Sequence, residues 1–323
     1  MIMTSAHVFT SPEPSVKVAH LLHYSQSQSV VPNKTATTTT TNSIETITCV
    51  QSESESEKDV ELLRRIAFEM DHPARPTLPV LSDVKQVPSL KDSGLSQPVY
   101  MLHNCAHIEL NAMDVCCHTV LMPSLLQFHL NSSRRSDSSD TLKEQTSENT
   151  AATAAATILH LPEEFYADFM RVARDEARHF QMLSDRLREL GASYGVLNSH
   201  KMLWQGAERT SNSLLARIVM CQLINECRGL DSGPRLVHKL KSSGDHASAQ
   251  IMQQIVDEEE EHVRIGMKWF LALCEQMNLK PQETFQDIVS QFYGKLIPPF
   301  NHDARSRATM PRTWYEPLAR RTT

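Results

Sequence analysis

Apolar residues recur at spacings of three and four along four stretches of this chain, and in each stretch the apolar stripe is interrupted by charge. The stretches cover 99–121, 163–190, 211–230 and 244–276. The stripe of the second runs Phe165, Phe169, Val172, Glu176, His179, Leu183, Leu187, Leu190. That of the fourth runs Ile251, Ile255, Glu259, His262, Gly266, Phe270. The first carries Leu102, Cys105, Glu109, Met113, Cys116 and Val120, and the third Leu215, Val219, Gln222, Glu226 and Leu230. Pro162 with Glu163 and Glu164 opens the second helix and Gly191 closes it; Gly244–Asp245 precedes the fourth. No segment alternates with the period of a strand.

Between these helices the pattern breaks in recognisable ways. Residues 24–58 are polar and repetitive, so the N-terminal region 1–58 is expected to be mostly disordered. A short amphipathic helix is expected over 59–70, ending before Pro73. Five prolines then make 73–98 an extended arm. Residues 131–157 are rich in Ser and Thr and read as a flexible insertion between the first and second helices. Beyond 276 come one more helical stretch near 281–294 and an irregular tail. The expected fold is all-α: a four-helix bundle over 99–276 with an N-terminal arm, an extra C-terminal helix and a tail over 277–323.

Composition narrows the function. The net charge is −6 and the pI near 6.2, which gives no electrostatic footprint for wrapping nucleic acid or for anionic membranes. Only 9 glycines occur, which favours helix over strand. The 7 cysteines are odd in number and form no C-x-x-C, as expected of reduced thiols in a cytoplasmic protein. No apolar run approaches the roughly 20 residues of a membrane span.

The charges inside the stripes are the informative feature. One E-x-x-H is expected by chance about once in a chain of this composition. The pair Glu69–His72, just before Pro73, illustrates how easily it arises. Glu176–His179 and Glu259–His262 differ in lying on apolar stripes, while Glu109 and Glu226 point inward from the other two helices. An ionised carboxylate in a core is very unfavourable unless paired or metal-bound, and no Lys or Arg lies on these stripes. Two divalent cations would neutralise four carboxylates. Carboxylate and imidazole donors suit iron or manganese. One Glu from each of two helices and Glu-x-x-His from each of the others is the known ligand pattern of ferritin-like di-iron and di-manganese bundles. The expected metal ligands are therefore Glu109, Glu176, His179, Glu226, Glu259 and His262. Glu258 precedes His262 by one turn, as Asp175 precedes His179, and each could hydrogen-bond a ligand imidazole. Glu258, Glu260 and Glu261 flank Glu259 and otherwise read as a solvated acidic face, and His107 as a polar or packing residue.

The segments "AHIELNAMD", "VARDEARHFQMLSDRLRELGASYG", "NECRGLD" and "IPPFNHDARSRATMPRTWYEPLA" resemble an uncharacterised ferritin-like family, a domain of unknown function. Its members look like distant relatives of the di-iron hydroxylase that modifies a hypermodified adenosine in tRNA. The resemblance covers 59–131 and 158–320, with a further match near 8–23, and this chain matches all six ligand positions. It departs at "VDEEEEHV", which is more acidic than in relatives. The resemblance implies a non-haem site with two Fe ions, or Mn, or both, in an oxidoreductase that uses O2 or peroxide. A ferroxidase or other metal-handling role and a tRNA-modifying hydroxylase are the alternatives. The tail residues Asn301, Arg305, Trp314 and Tyr315 look like a family feature that either covers the mouth of the bundle or packs on its exterior.

Overall fold

A computed structural model describes residues 1–28, 53–70, 72–136 and 161–320. The described residues are mostly helical, with almost no strand. Two helices open the chain, α1 (Ile2–Thr10) and α2 (Pro14–Gln28), followed by α3 (Glu53–Glu69). The arm carries the two-residue strand β1 (Leu81–Ser82) and the short α4 (Leu90–Ser93). The long helices are α5 (Gln97–Ser136) and α6 (Glu163–Glu189). After β2 (Ser199–His200) and α7 (Met202–Arg209) comes one continuous rod. It consists of α8 (Leu214–Arg217), a π-helical segment (Ile218–Asn225) and α9 (Glu226–Ser242). Then follow α10 (His246–Gln276), α11 (Pro281–Phe292), α12 (His302–Arg307) and α13 (Arg312–Tyr315).

The starts of α6, the rod and α10 are marked by the local sequence. The Asp245 carboxylate accepts from the Ser248 amide at 3.0 Å, the Ser213 hydroxyl accepts from the Ala216 amide, and Glu163 and Glu164 sit in the first turn of α6. Gly191 ends α6 in the left-handed region, at φ 76°. Helix α5 packs along α6, α9 along α10, and α10 against both α6 and the π segment. One apolar core runs through all of them and includes Met113, Phe165, Phe169 and Phe270.

Four expectations need correction. The N-terminal region is not disordered throughout, because α1 and α2 form and dock on the core, α1 against α5 and α2 against α6. Phe9 and Leu21 are buried there, and the Lys17 ammonium lies 2.5 Å from Asp114 of α5, with neither side chain exposed. The low-complexity stretch from 29 to 52 lies outside the described residues. The first long helix does not stop at 121 but continues through Pro123 to Ser136, absorbing the start of the predicted insertion. Burial of Leu121, Met122 and Leu125 offsets the hydrogen bond that Pro123 removes; residues 137–157 lie outside the described residues. The third helix continues past 230 to Ser242, through Gly233 and Pro234. Gly233 acts here as a contact surface, not a terminator: a Cβ on it would meet Val256 of α10 at 2.2 Å. The arm, finally, is not extended throughout, since β1 pairs in parallel with β2 and α4 interrupts it.

The tail packs against α9, α10 and α11. Asn301 caps α12 and donates to the Leu230 carbonyl; the Arg305 guanidinium pairs with Asp231 of α9 at 2.6 and 3.0 Å. Phe300 and Tyr315 flank the guanidinium, which lies 4.9 and 4.4 Å from their ring centroids. Trp314 packs against Phe270 and Phe285.

Candidate metal centre

The six residues singled out from the stripes converge. Their ligand atoms form two overlapping groups, Glu109–Glu176–His179–Glu259 and Glu176–Glu226–Glu259–His262, and within each group the atoms lie inside 4.8 Å of one another. Glu176 and Glu259 belong to both groups. Bonds of about 2.0–2.2 Å to one ion put its ligand atoms at most about 4.4 Å apart, so each group is close to the size that one ion needs. All six side chains are buried, Glu176 and His179 completely.

The shape follows from helix geometry. Residues three apart on α6 and on α10 stand one above the other, so each Glu-x-x-His presents a carboxylate and an imidazole together. His179 Nδ1 lies 3.4 Å from Glu176 and 3.7 Å from Glu109. His262 Nδ1 lies 3.1 Å from Glu176 and 3.2 Å from Glu259. Both rings therefore turn Nδ1 toward the carboxylates and Nε2 away from them.

The outer nitrogens meet carboxylates, but not the ones on their own helices. His179 Nε2 is hydrogen-bonded to Glu258 of α10 at 2.7 Å, whereas His262 Nε2 faces Asp175 of α6 at 3.6 Å, beyond hydrogen-bonding distance. The partners are exchanged across the two helices. Arg178 ties the exchange together, with Nη2 at 3.0 Å from Asp175 and 2.5 Å from Glu258. Glu260 pairs with Arg307, and Glu261 with Arg171 and Arg264, so the acidic face of α10 is paired as well as solvated.

The electrostatics are those of negative charge crowded out of water. Burial, and then Glu176 beside it, holds the Glu109 carboxyl well above its usual range. Burial, then Glu259 and Glu176, does the same to Glu226. Burial works against a charge on His179, yet its contacts with Glu109, Glu176 and Glu258 carry it up to about 12. His262 is raised likewise, by Glu176 and Glu259 against burial. Glu176 is itself held low, since His262 and His179 overcome its burial. Protons thus substitute for cations in this cluster. They do so incompletely, because the histidine contacts of Glu176, at 3.1 and 3.4 Å, are close ion pairs without the geometry of hydrogen bonds. Buried polar groups left without hydrogen bonds cost about 1–3 kcal/mol each. Hard oxygen and imidazole donors, four potential negative charges and lone pairs outside hydrogen bonds together fit a pair of divalent ions.

Residues that the stripes did not single out complete the surroundings. Gln222, in the π segment, is buried, and its amide nitrogen donates to Cys116 Sγ at 3.2 Å. Gly266, one turn after His262, lets the π segment approach α10. A Cβ there would stand 2.9 Å from Leu223 and 3.0 Å from the Gln222 carbonyl oxygen. Gly266→Ala is therefore expected to destabilise the fold by about 1–3 kcal/mol, read by denaturant unfolding; no loss of stability would mean that the rod and α10 are not in this contact. His107 is a packing residue as expected: its Nδ1 is 2.8 Å from the Tyr194 hydroxyl and its Nε2 is 3.0 Å from the His200 carbonyl.

Residues 31–316 match the family described as "Protein of unknown function (DUF455)". The chain belongs to that family. The DUF455 match contains all six residues of the cluster, whereas α1 and α2 precede it. An "Uncharacterized protein" of Haemophilus influenzae is 28% identical over 236 residues, covering 73% of this chain and 72% of the relative. No solved structure matches. Among the described residues no helix is long and apolar enough to cross a membrane.

Proposed function

We propose that this chain is a ferritin-like di-metal carboxylate protein that binds two Fe or Mn ions and acts as an oxygen- or peroxide-dependent oxidoreductase. The observation that carries the reading is the double membership of Glu176 and Glu259 in two adjacent ligand groups. Glu176 and Glu259 would be shared by both ions, and such a pair would supply two-electron chemistry when bound. Glu109 with His179 would complete one site, and Glu226 with His262 the other.

The chain's own residues do the remaining work. Glu258 accepts from His179 Nε2, which leaves Nδ1 free as a lone-pair donor and fixes the orientation of the ring. Arg178 holds Glu258 and Asp175 in place from outside. Phe169, Phe270 and Met113, all fully buried, keep water from the cluster.

The test is metal content after anaerobic loading with ferrous iron or manganese, with two equivalents per chain expected. Uptake should also release protons. Glu109 and Glu226 are held protonated by burial and by neighbouring carboxylates, and His179 and His262 are held charged. A ligand must shed its proton to bind, so affinity should rise with pH. Loading at pH 6 and at pH 8 in a weakly buffered solution would register the released protons. Uptake without proton release would contradict the reading.

A further inference from the structure

Gln222 is a polar residue in an apolar place. Its side chain is 1% exposed, and its amide nitrogen is occupied by the Cys116 thiol. Its amide oxygen Oε1 is buried with no hydrogen-bond partner. An acceptor left in this state is unfavourable, and an aliphatic side chain of similar size would avoid the loss. The residue also sits where the backbone departs from α geometry, in an eight-residue π segment that ends immediately before Glu226. Such segments concentrate at functional sites because they re-aim side chains.

Its surroundings connect it to the carboxylate cluster. Gln222 lies one turn before Glu226 and packs by its backbone on Gly266, one turn after His262. Cys116, which holds the amide at 3.2 Å, lies on α5 two turns after Glu109. Cys116 and Gly266 thus meet at Gln222, on the three helical segments that carry Glu109, His262 and Glu226. Glycine at 266 and a fully buried thiol at 116 leave the amide as the directional polar group among these three.

We propose that Gln222 is a positioning residue for a small exogenous ligand of the carboxylate cluster, its Oε1 accepting a hydrogen bond from an O–H or N–H group of that ligand. The inference rests on the di-metal reading and adds to it the chemical class of what enters: a small molecule with a metal-binding oxygen and a proton to donate. Cys116 positions the amide so that its oxygen, not its nitrogen, is presented.

The test uses the full chain loaded with ferric iron and two probes, acetohydroxamate, which carries an N–H beside its metal-binding oxygens, and azide, which has no proton to give. Binding is read from the charge-transfer absorption of the iron. Gln222→Leu and Gln222→Met are compared with the unaltered protein after metal content and thermal unfolding have been measured for each. In at least one variant that retains metal and fold, hydroxamate should bind about tenfold more weakly while azide affinity stays the same. Equal loss for both probes would mean that Gln222 only shapes the space, and no change for either would mean that its oxygen meets nothing; both results overturn the proposal. So does failure of the loaded, unaltered protein to bind hydroxamate at all. If the unaltered protein takes up no metal, the di-metal reading falls first and this inference with it, whereas the other failures leave that reading standing.

Discussion

Replacing Glu176 with Ala should abolish uptake of both metal ions, whereas replacing Glu109 or Glu226 should leave about one. Each of the latter belongs to a single ligand group, while Glu176 belongs to both. Removing a shared carboxylate takes a donor from both sites and removes a charge that opposes the repulsion between two cations. It also leaves His179 and His262 without their common neighbour, at 3.4 and 3.1 Å. Elemental analysis of protein loaded anaerobically and desalted separates the outcomes as zero, one or two equivalents. A Glu176→Ala protein that keeps two equivalents would overturn the di-metal reading, and one that keeps one would make Glu176 a ligand of a single ion.

The second large effect is expected far from the carboxylates. Asp114→Ala should destabilise the protein by about 3–5 kcal/mol. Asp114 is fully buried and holds two cations: Lys17, also fully buried, and Arg75 from the arm. Removing the carboxylate strands the Lys17 ammonium in the core. Burial already lowers its pKa, with Asp114 opposing the shift. Arg75 keeps a second partner in Asn111 and is partly exposed, so the stranded lysine dominates the loss. Combining Lys17→Met with Asp114→Leu should recover most of the stability, since a buried pair can be exchanged for apolar groups at little net cost. Denaturant midpoints of the single and double variants test this. A loss under about 1 kcal/mol for Asp114→Ala would mean that Lys17 of α2 does not meet Asp114 in the core.

The six cluster residues and the helical class were legible in the sequence because both depend on period. A charge inside a 3.6-residue stripe has few places to go except a site, so Glu176 and His179 announce themselves. Gln222 lay on the same kind of stripe and gave no signal, because an amide in a core is common and only its missing partner makes it notable. The π segment was invisible for a related reason: α and π periods place Val219, Gln222 and Glu226 inward alike over so short a run. The buried Lys17–Asp114 pair was hidden by distance, its members standing 97 positions apart. The exchange of Glu258 and Asp175 between the two histidines depends on how α6 lies against α10, which neither helix encodes alone. Helices run on through Pro123 and Gly233, where burial and close approach override local preference.

All six cysteines among the described residues are buried, and burial raises every one of these thiols, to about 12 for Cys105 and Cys227 and about 11 for Cys274. The thiolate is the species that reacts, so at neutral pH the folded chain keeps these sulfurs chemically silent. Their modification by an alkylating reagent then becomes a clock for the opening of the core. Cys116 and Cys227 time the segments that carry Glu109 and Glu226, and Cys274 times the far end of α10.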